Sequence, residues 1–126
     1  MDSEASFPMT RYELIRMLAL NEICDDYEEP VHVHERLAAV GREYGIEVRP
    51  TDAVRALVDL VSLEWAAAYD LTKEPPQKLR GVPAVERAGR AYYFITQEGR
   101  EAQSSFEGWP FDQEGVPIPD WAPPTE

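Results

Sequence analysis

Apolar side chains at Leu14, Ile15, Met17, Leu18, Leu20 and Ile23 recur at helical spacing and predict a first helix over 10–27. Thr10-Arg11-Tyr12-Glu13 fits the capping box that would start it, the threonine accepting from the third amide while the glutamate reaches back. Asp25, Asp26, Glu28, Glu29 and Pro30 predict its end, because carboxylates are badly placed against the negative end of a helix. Val31-His32-Val33-His34 alternates and predicts a very short strand. Leu37, Val40 and Tyr44 then return to helical spacing, and Gly45 supplies the stop. Ile46 to Pro50 reads as extended, since the residue before a proline is biased away from helix. Thr51 and Asp52 open a third helix with the apolar stripe Val54, Leu57, Val58 and Val61, which would turn Asp52, Arg55, Asp59 and Ser62 outward.

At Leu63, Trp65, Ala67 and Tyr69 the period changes to two and predicts a strand. Lys73 to Gly89 holds prolines and glycines without a sustained period and reads as a long loop. Arg90 to Ile95 is again β-prone. Thr96 can cap a last helix with Glu98 in its first turn, so a strand delivers the chain directly into a helix. From Phe106 onward the prolines exclude a regular helix, while Phe106, Trp109, Phe111 and Trp121 are unusual for a purely solvated tail. The expected organisation is an N-terminal arm (1–9), one domain (10–105) and a Pro/aromatic-rich tail (106–126).

Length and composition leave this outline unchanged: 126 residues with 44% hydrophobic content suffice for one domain with its own core. Charge changes it. The net charge is −12, a sign that repels nucleic-acid phosphates and anionic membranes. The distribution is uneven, however. Residues 73–90 carry five bases (Lys73, Lys78, Arg80, Arg87, Arg90) against two acids, while 1–30, 31–72 and 91–126 are all net negative. The start MDSEASFPM lacks a basic-then-apolar signal pattern, and no apolar run approaches the roughly 20 residues that span a bilayer. The expectation is a cytoplasmic protein without membrane contact.

Two stretches carry a family likeness. Ala53-Val54-Arg55-Ala56-Leu57-Val58-Asp59-Leu60, followed by Leu63 and a strand, resembles the third helix of the winged helix-turn-helix family running into its wing. Tyr93-Phe94-Ile95-Thr96-Gln97-Glu98-Gly99-Arg100-Glu101-Ala102 resembles the end of that wing. Ser62 stands where the family often has glycine, and Gln103 where it has a closing leucine. The resemblance implies an α+β, mostly α fold: a three-helix core, a β-hairpin wing and a C-terminal helix with an irregular tail. It also implies a transcriptional-regulator-type module, with helix three in the major groove and the wing on the DNA backbone. Arg49, Thr51, Arg55, Lys78, Arg80, Arg87 and Arg90 are the implied DNA contacts.

The acidity leaves a second reading open, in which the domain binds a protein and no nucleic acid. The other reading of the acidity is a solubility strategy of the halophilic type with binding kept local, compatible with two lysines against ten arginines. Trp109, Phe111 and Trp121 either fold back over the core or capture a partner, including a second copy of the chain. His32 and His34 would share one face of a strand near Cys24, yet no C-x-x-C or H-x-x-x-H partner completes a zinc set, so no metal and no cofactor are expected. Cys24 reads as a small core residue. Carboxylate pairs such as Asp25–Asp26 follow from composition, so no enzyme is expected.

Overall fold

The structure, a computed structural model, describes residues 10–105. The N-terminal arm and the tail, including Trp109, Phe111 and Trp121, lie outside the described residues. Within them the chain is α+β and mostly helical: α1 (Arg11–Glu22), α2 (Pro30–Tyr44), α3 (Pro50–Ser62), β1 (Ala66–Asp70), β2 (Gln77–Lys78), α4 (Val85–Ala88), β3 (Tyr92–Ile95) and α5 (Gln97–Gln103).

Helix α1 starts where its capping box predicts. The Glu13 amide donates to Thr10 Oγ1 at 3.0 Å, and the Thr10 amide donates to Glu13 Oε1 at 2.8 Å. It ends at Glu22, short of the expected residue 27, before the carboxylates at Asp25 and Asp26. The alternation at residues 31–34 is not a strand. Pro30 occupies the first turn of α2, a position that needs no amide hydrogen, and Val33 and Leu37 pack inward while Val31 faces solvent. The extended pairing occurs just upstream, where Glu28 and Tyr93 exchange backbone hydrogen bonds of 3.0 and 2.8 Å. Gly45 closes α2 at φ 74°, a left-handed conformation suited to glycine.

Helix α3 opens one residue before the expected Thr51. Arg49 is the N-cap, Pro50 begins the helix, and the Arg49 amide donates to Asp52 Oδ2 at 2.9 Å. Its buried face is also rotated from the expected stripe. Ala53, Ala56, Leu57, Leu60 and Val61 are buried, whereas Val54 and Val58 are only half-buried. The alanines decide this rotation, because short side chains let α3 approach both α1 and α2 closely. Arg55 and Ser62 face outward as expected, but Asp52 and Asp59 are half-buried toward α1.

After α3 the chain turns through Glu64 at φ 67° and enters β1, later than the expected start at Leu63. Strands β1 and β3 are antiparallel neighbours, with Ala66 opposite Ile95 and Tyr69 opposite Tyr92. The segment expected to be an unbroken loop contains β2, paired with the other edge of β1, and the single turn α4. The sheet order is therefore β2-β1-β3, and the simple hairpin becomes a three-stranded sheet. Ala66, Ala68, Tyr93 and Ile95 join the helices in one core. On the other face Tyr27 packs edge-on against Tyr69 at 5.0 Å and lies 5.1 Å from Phe94.

The strand-to-helix junction turns on Thr96. Its amide donates to the Trp65 carbonyl at 2.9 Å, its hydroxyl donates to the Glu64 carbonyl at 2.7 Å, and the same oxygen accepts from the Gly99 amide at 3.0 Å. One residue thus caps α5 and ties it to the turn before β1. A Cβ at Gly99 would overlap the Trp65 carbonyl oxygen and approach Ile95 Cγ1 at 2.8 Å, so glycine is required by space. Gly99→Ala is expected to destabilise the domain by roughly 1–3 kcal/mol, read from urea unfolding. An unchanged midpoint would contradict this packing.

Tyr93 is fully buried, with its hydroxyl donating to the Ala88 carbonyl at 2.8 Å. Burial pushes the phenol up from 10.0 to about 12. The fold therefore favours the neutral form. This contribution is intact below the unfolded phenol's value near 10.0 and is lost as pH rises through about 12. Burial raises Tyr12 and Tyr69 in the same direction. Urea unfolding across this alkaline range should lose roughly 2–3 kcal/mol from Tyr93. Tyr93→Phe should start less stable and lose less over that range; an identical alkaline slope would contradict the assignment.

Candidate nucleic-acid interface

Helix α3 buries one face and leaves the other to solvent, and this outward face carries Thr51, Arg55 and Ser62, with Val54 and Val58 half-covered between them. Arg49 caps the N-terminal end, where its guanidinium lies 3.5 Å from the Glu47 carboxylate. At the opposite end, a groove of about 420 Å³ is lined by Val61 and Ser62 of α3, Lys78 of β2, Leu79 just after it, and the carboxylates Glu64 and Glu98. Thirteen helical residues separate the two ends by roughly 20 Å. Lys78 and Arg49 therefore bracket α3.

The remaining bases divide over the sheet. Arg80 is exposed beyond β2. Arg87 and Arg90 line a second, open depression of about 580 Å³ with Tyr69, Asp70 and Thr72. There Arg87 is paired with Asp70 at 2.9 Å. Hydrogen bonds from Thr72, together with this guanidinium, hold the Asp70 carboxyl below the usual carboxylate range. Lys78, Arg80 and Arg90 make no ion pair with any described residue. The predicted contacts thus fall into two sets: Arg49 at the N-cap of α3 with Thr51 and Arg55 on the helix, and Lys78, Arg80, Arg87 and Arg90 on and beside the sheet.

The chain matches no family model, no curated protein and no solved structure. Among the described residues no helix is long and apolar enough to cross a membrane.

Sequence reasoning placed Arg55 on the outer face but missed its surroundings. The guanidinium lies over the Tyr12 ring, 4.0 Å from its centroid, and Arg55 Nε is 3.9 Å from Asp59 Oδ2. The Tyr12 hydroxyl donates to the same Asp59 oxygen. Burial first, then Asp59, raises the Tyr12 phenol well above its ordinary value. Arg16 lies at the far edge of this cluster, 5.9 Å from the Tyr12 ring and 6.0 Å from the Trp65 ring. No local signal marks the cluster, because Tyr12 and Asp59 are 47 residues apart.

The expected histidine pair does not form. His34 Nε2 is 2.9 Å from the Val48 carbonyl, while His32 lies 3.9 and 4.0 Å from Glu28 and Glu29 on the exposed side of α2. Cys24 is half-buried against the core, and burial raises its thiol pKa.

Removing the Tyr12 hydroxyl deletes a hydrogen bond to a charged acceptor, whereas Arg55 is largely solvated. Tyr12→Phe is expected to cost about 1.5 kcal/mol and Arg55→Ala under about 1 kcal/mol. Urea unfolding of both variants checks this order, and its reversal would contradict it.

Proposed function

We propose that this chain is a winged-helix-type, transcriptional-regulator-like module that binds duplex DNA without catalysing a reaction. Helix α3 would face the major groove, with the 73–90 segment on the sugar-phosphate backbone. The element order is compatible with that layout: helix, bridge at Glu28, two helices, strand, a long connection holding β2 and α4, strand and helix. The observation that carries the reading is the state of three cations. In a chain of net charge −12, Lys78, Arg80 and Arg90 stand exposed beside α3 or the sheet with no carboxylate partner among the described residues. Phosphates are the partners such side chains accept, and each one neutralised releases a condensed counterion.

A protein-interaction module that leaves nucleic acid alone is the second reading, and one observation favours it. Arg49, Arg55 and Arg87 each lie within 4 Å of an acid of the same domain: Glu47, Asp59 and Asp70. On that reading, Trp109, Phe111 and Trp121 would serve the partner or a homodimer.

Fluorescence anisotropy with a mixed-sequence duplex, titrated with salt, separates the two. The DNA reading expects binding at low ionic strength with a steep salt slope. The combined variant Lys78→Ala, Arg80→Ala and Arg90→Ala should weaken binding for all sequences and flatten the slope by about 0.9 for each lost phosphate contact. Undetectable binding at about 50 mM salt, within the range where phosphate contacts act strongly, would overturn it.

A further inference from the structure

Arg55 is the one base on the outer face of α3, and the structure constrains it from two directions. Its guanidinium carbon sits over Tyr12, 4.0 Å from the ring centroid. Its Nε edge faces Asp59 at 3.9 Å, and Asp59 is in turn fixed by the Tyr12 hydroxyl. The three side chains form a closed triangle, in which Tyr12 both carries the guanidinium and holds the carboxylate that orients it. The Arg55 side chain nevertheless remains 66% exposed. A cation over an aromatic ring is held by attraction to the ring's negative face. With Nε turned to Asp59, the terminal nitrogens remain to meet an incoming group.

We propose that Tyr12 and Asp59 are positioning residues that present Arg55 as a preorganised two-pronged donor, giving the chain a preference for guanine opposite α3. This inference rests on the duplex-binding reading and deepens it. The chemistry follows from the planar fork. Two adjacent acceptors in one plane, guanine O6 and N7, match the guanidinium, and in the major groove guanine alone presents such a pair. An unrestrained arginine has to be ordered on binding; one already held over a ring and beside a carboxylate loses less freedom. Asp59 also has an electrostatic effect of opposite sign. As a carboxylate near the DNA surface it repels phosphates in every sequence, so its two effects separate by experiment.

The test uses the full chain. A randomised duplex pool is selected with the wild-type protein, and the best duplex is compared with single-base variants and with a 7-deazaguanine substitution that removes N7. The wild type should prefer guanine at one position by on the order of tenfold. Arg55→Lys should keep the salt slope and lose the preference, because it retains charge without the fork. Tyr12→Phe should reduce the preference to about twofold or less at unchanged charge, by releasing the Asp59 carboxylate that aligns the fork. Asp59→Asn should bind all duplexes more tightly while the preference falls, a combination that simple removal of repulsion does not produce. Thermal melts confirm that each variant remains folded, and nitrogen-15 relaxation at Arg55 Nε reports loss of order in the free protein.

The inference is overturned if the wild type binds duplex with no Arg55-dependent guanine preference, the binding reading then standing alone. It is also overturned if Tyr12→Phe and Asp59→Asn retain the full preference. Absence of any duplex binding removes the functional reading, and the inference with it.

Discussion

The arrangement depends on how closely α3 can approach its neighbours. Ala53 and Ala56 are fully buried, and Leu57 and Leu60 fill the space beside them. Larger residues at the alanines would force α3 away from α1 and α2, since interiors packed near crystal density do not absorb extra methylenes without strain. This seating fixes the rotation of the helix about its axis. Rotation in turn decides that Arg55 and Thr51 meet solvent while Asp52 and Asp59 lean toward α1. The chemistry of the outer face is thus a consequence of small side chains on the inner one.

The sheet is tied to that seating by short-range geometry. Helix α3 runs into the Glu64 turn, whose carbonyl accepts from Thr96, and Trp65 accepts from the Thr96 amide. Strand β3 and helix α5 therefore have little freedom relative to α3. Glycine at 99 permits the close approach of α5 to Trp65. The bridge between Glu28 and Tyr93 extends the same sheet toward the α1–α2 turn. Lys78 gains its position beside the end of α3 through β2, which pairs with β1 and with nothing else among the described strands.

Charge acts on top of this frame and on a shorter scale. The Debye length is about 8 Å at physiological salt, so the net negative charge does not impose one potential on the whole surface. Local balance matters more. Exposed ion pairs are worth about 0–1 kcal/mol, and the pairs of Arg49 with Glu47 and Arg87 with Asp70 involve arginines that are more than half exposed. Breaking such pairs costs the fold little. Arg55 differs, because it sits over the Tyr12 ring as well as near Asp59.

Local chemistry within a few residues was legible in the sequence. The Thr10–Glu13 box, the stop at Gly45 and the Thr96 cap each involve groups no more than a helical turn apart, and helical spacing marked α1, α2 and α3. The antiparallel pairing of β1 with β3 also agrees with two β-prone runs separated by a long connection. Alternation at 31–34 misled because two valines are too few to distinguish a strand from the first turn of a helix, and Pro30 with tertiary burial of Val33 decided the outcome. The rotation of α3, the insertion of β2, and the meeting of Tyr12, Asp59 and Arg55 were settled by tertiary structure alone. Each depends on which surfaces come into contact across tens of residues, and spacing along a chain carries no record of distances made by packing.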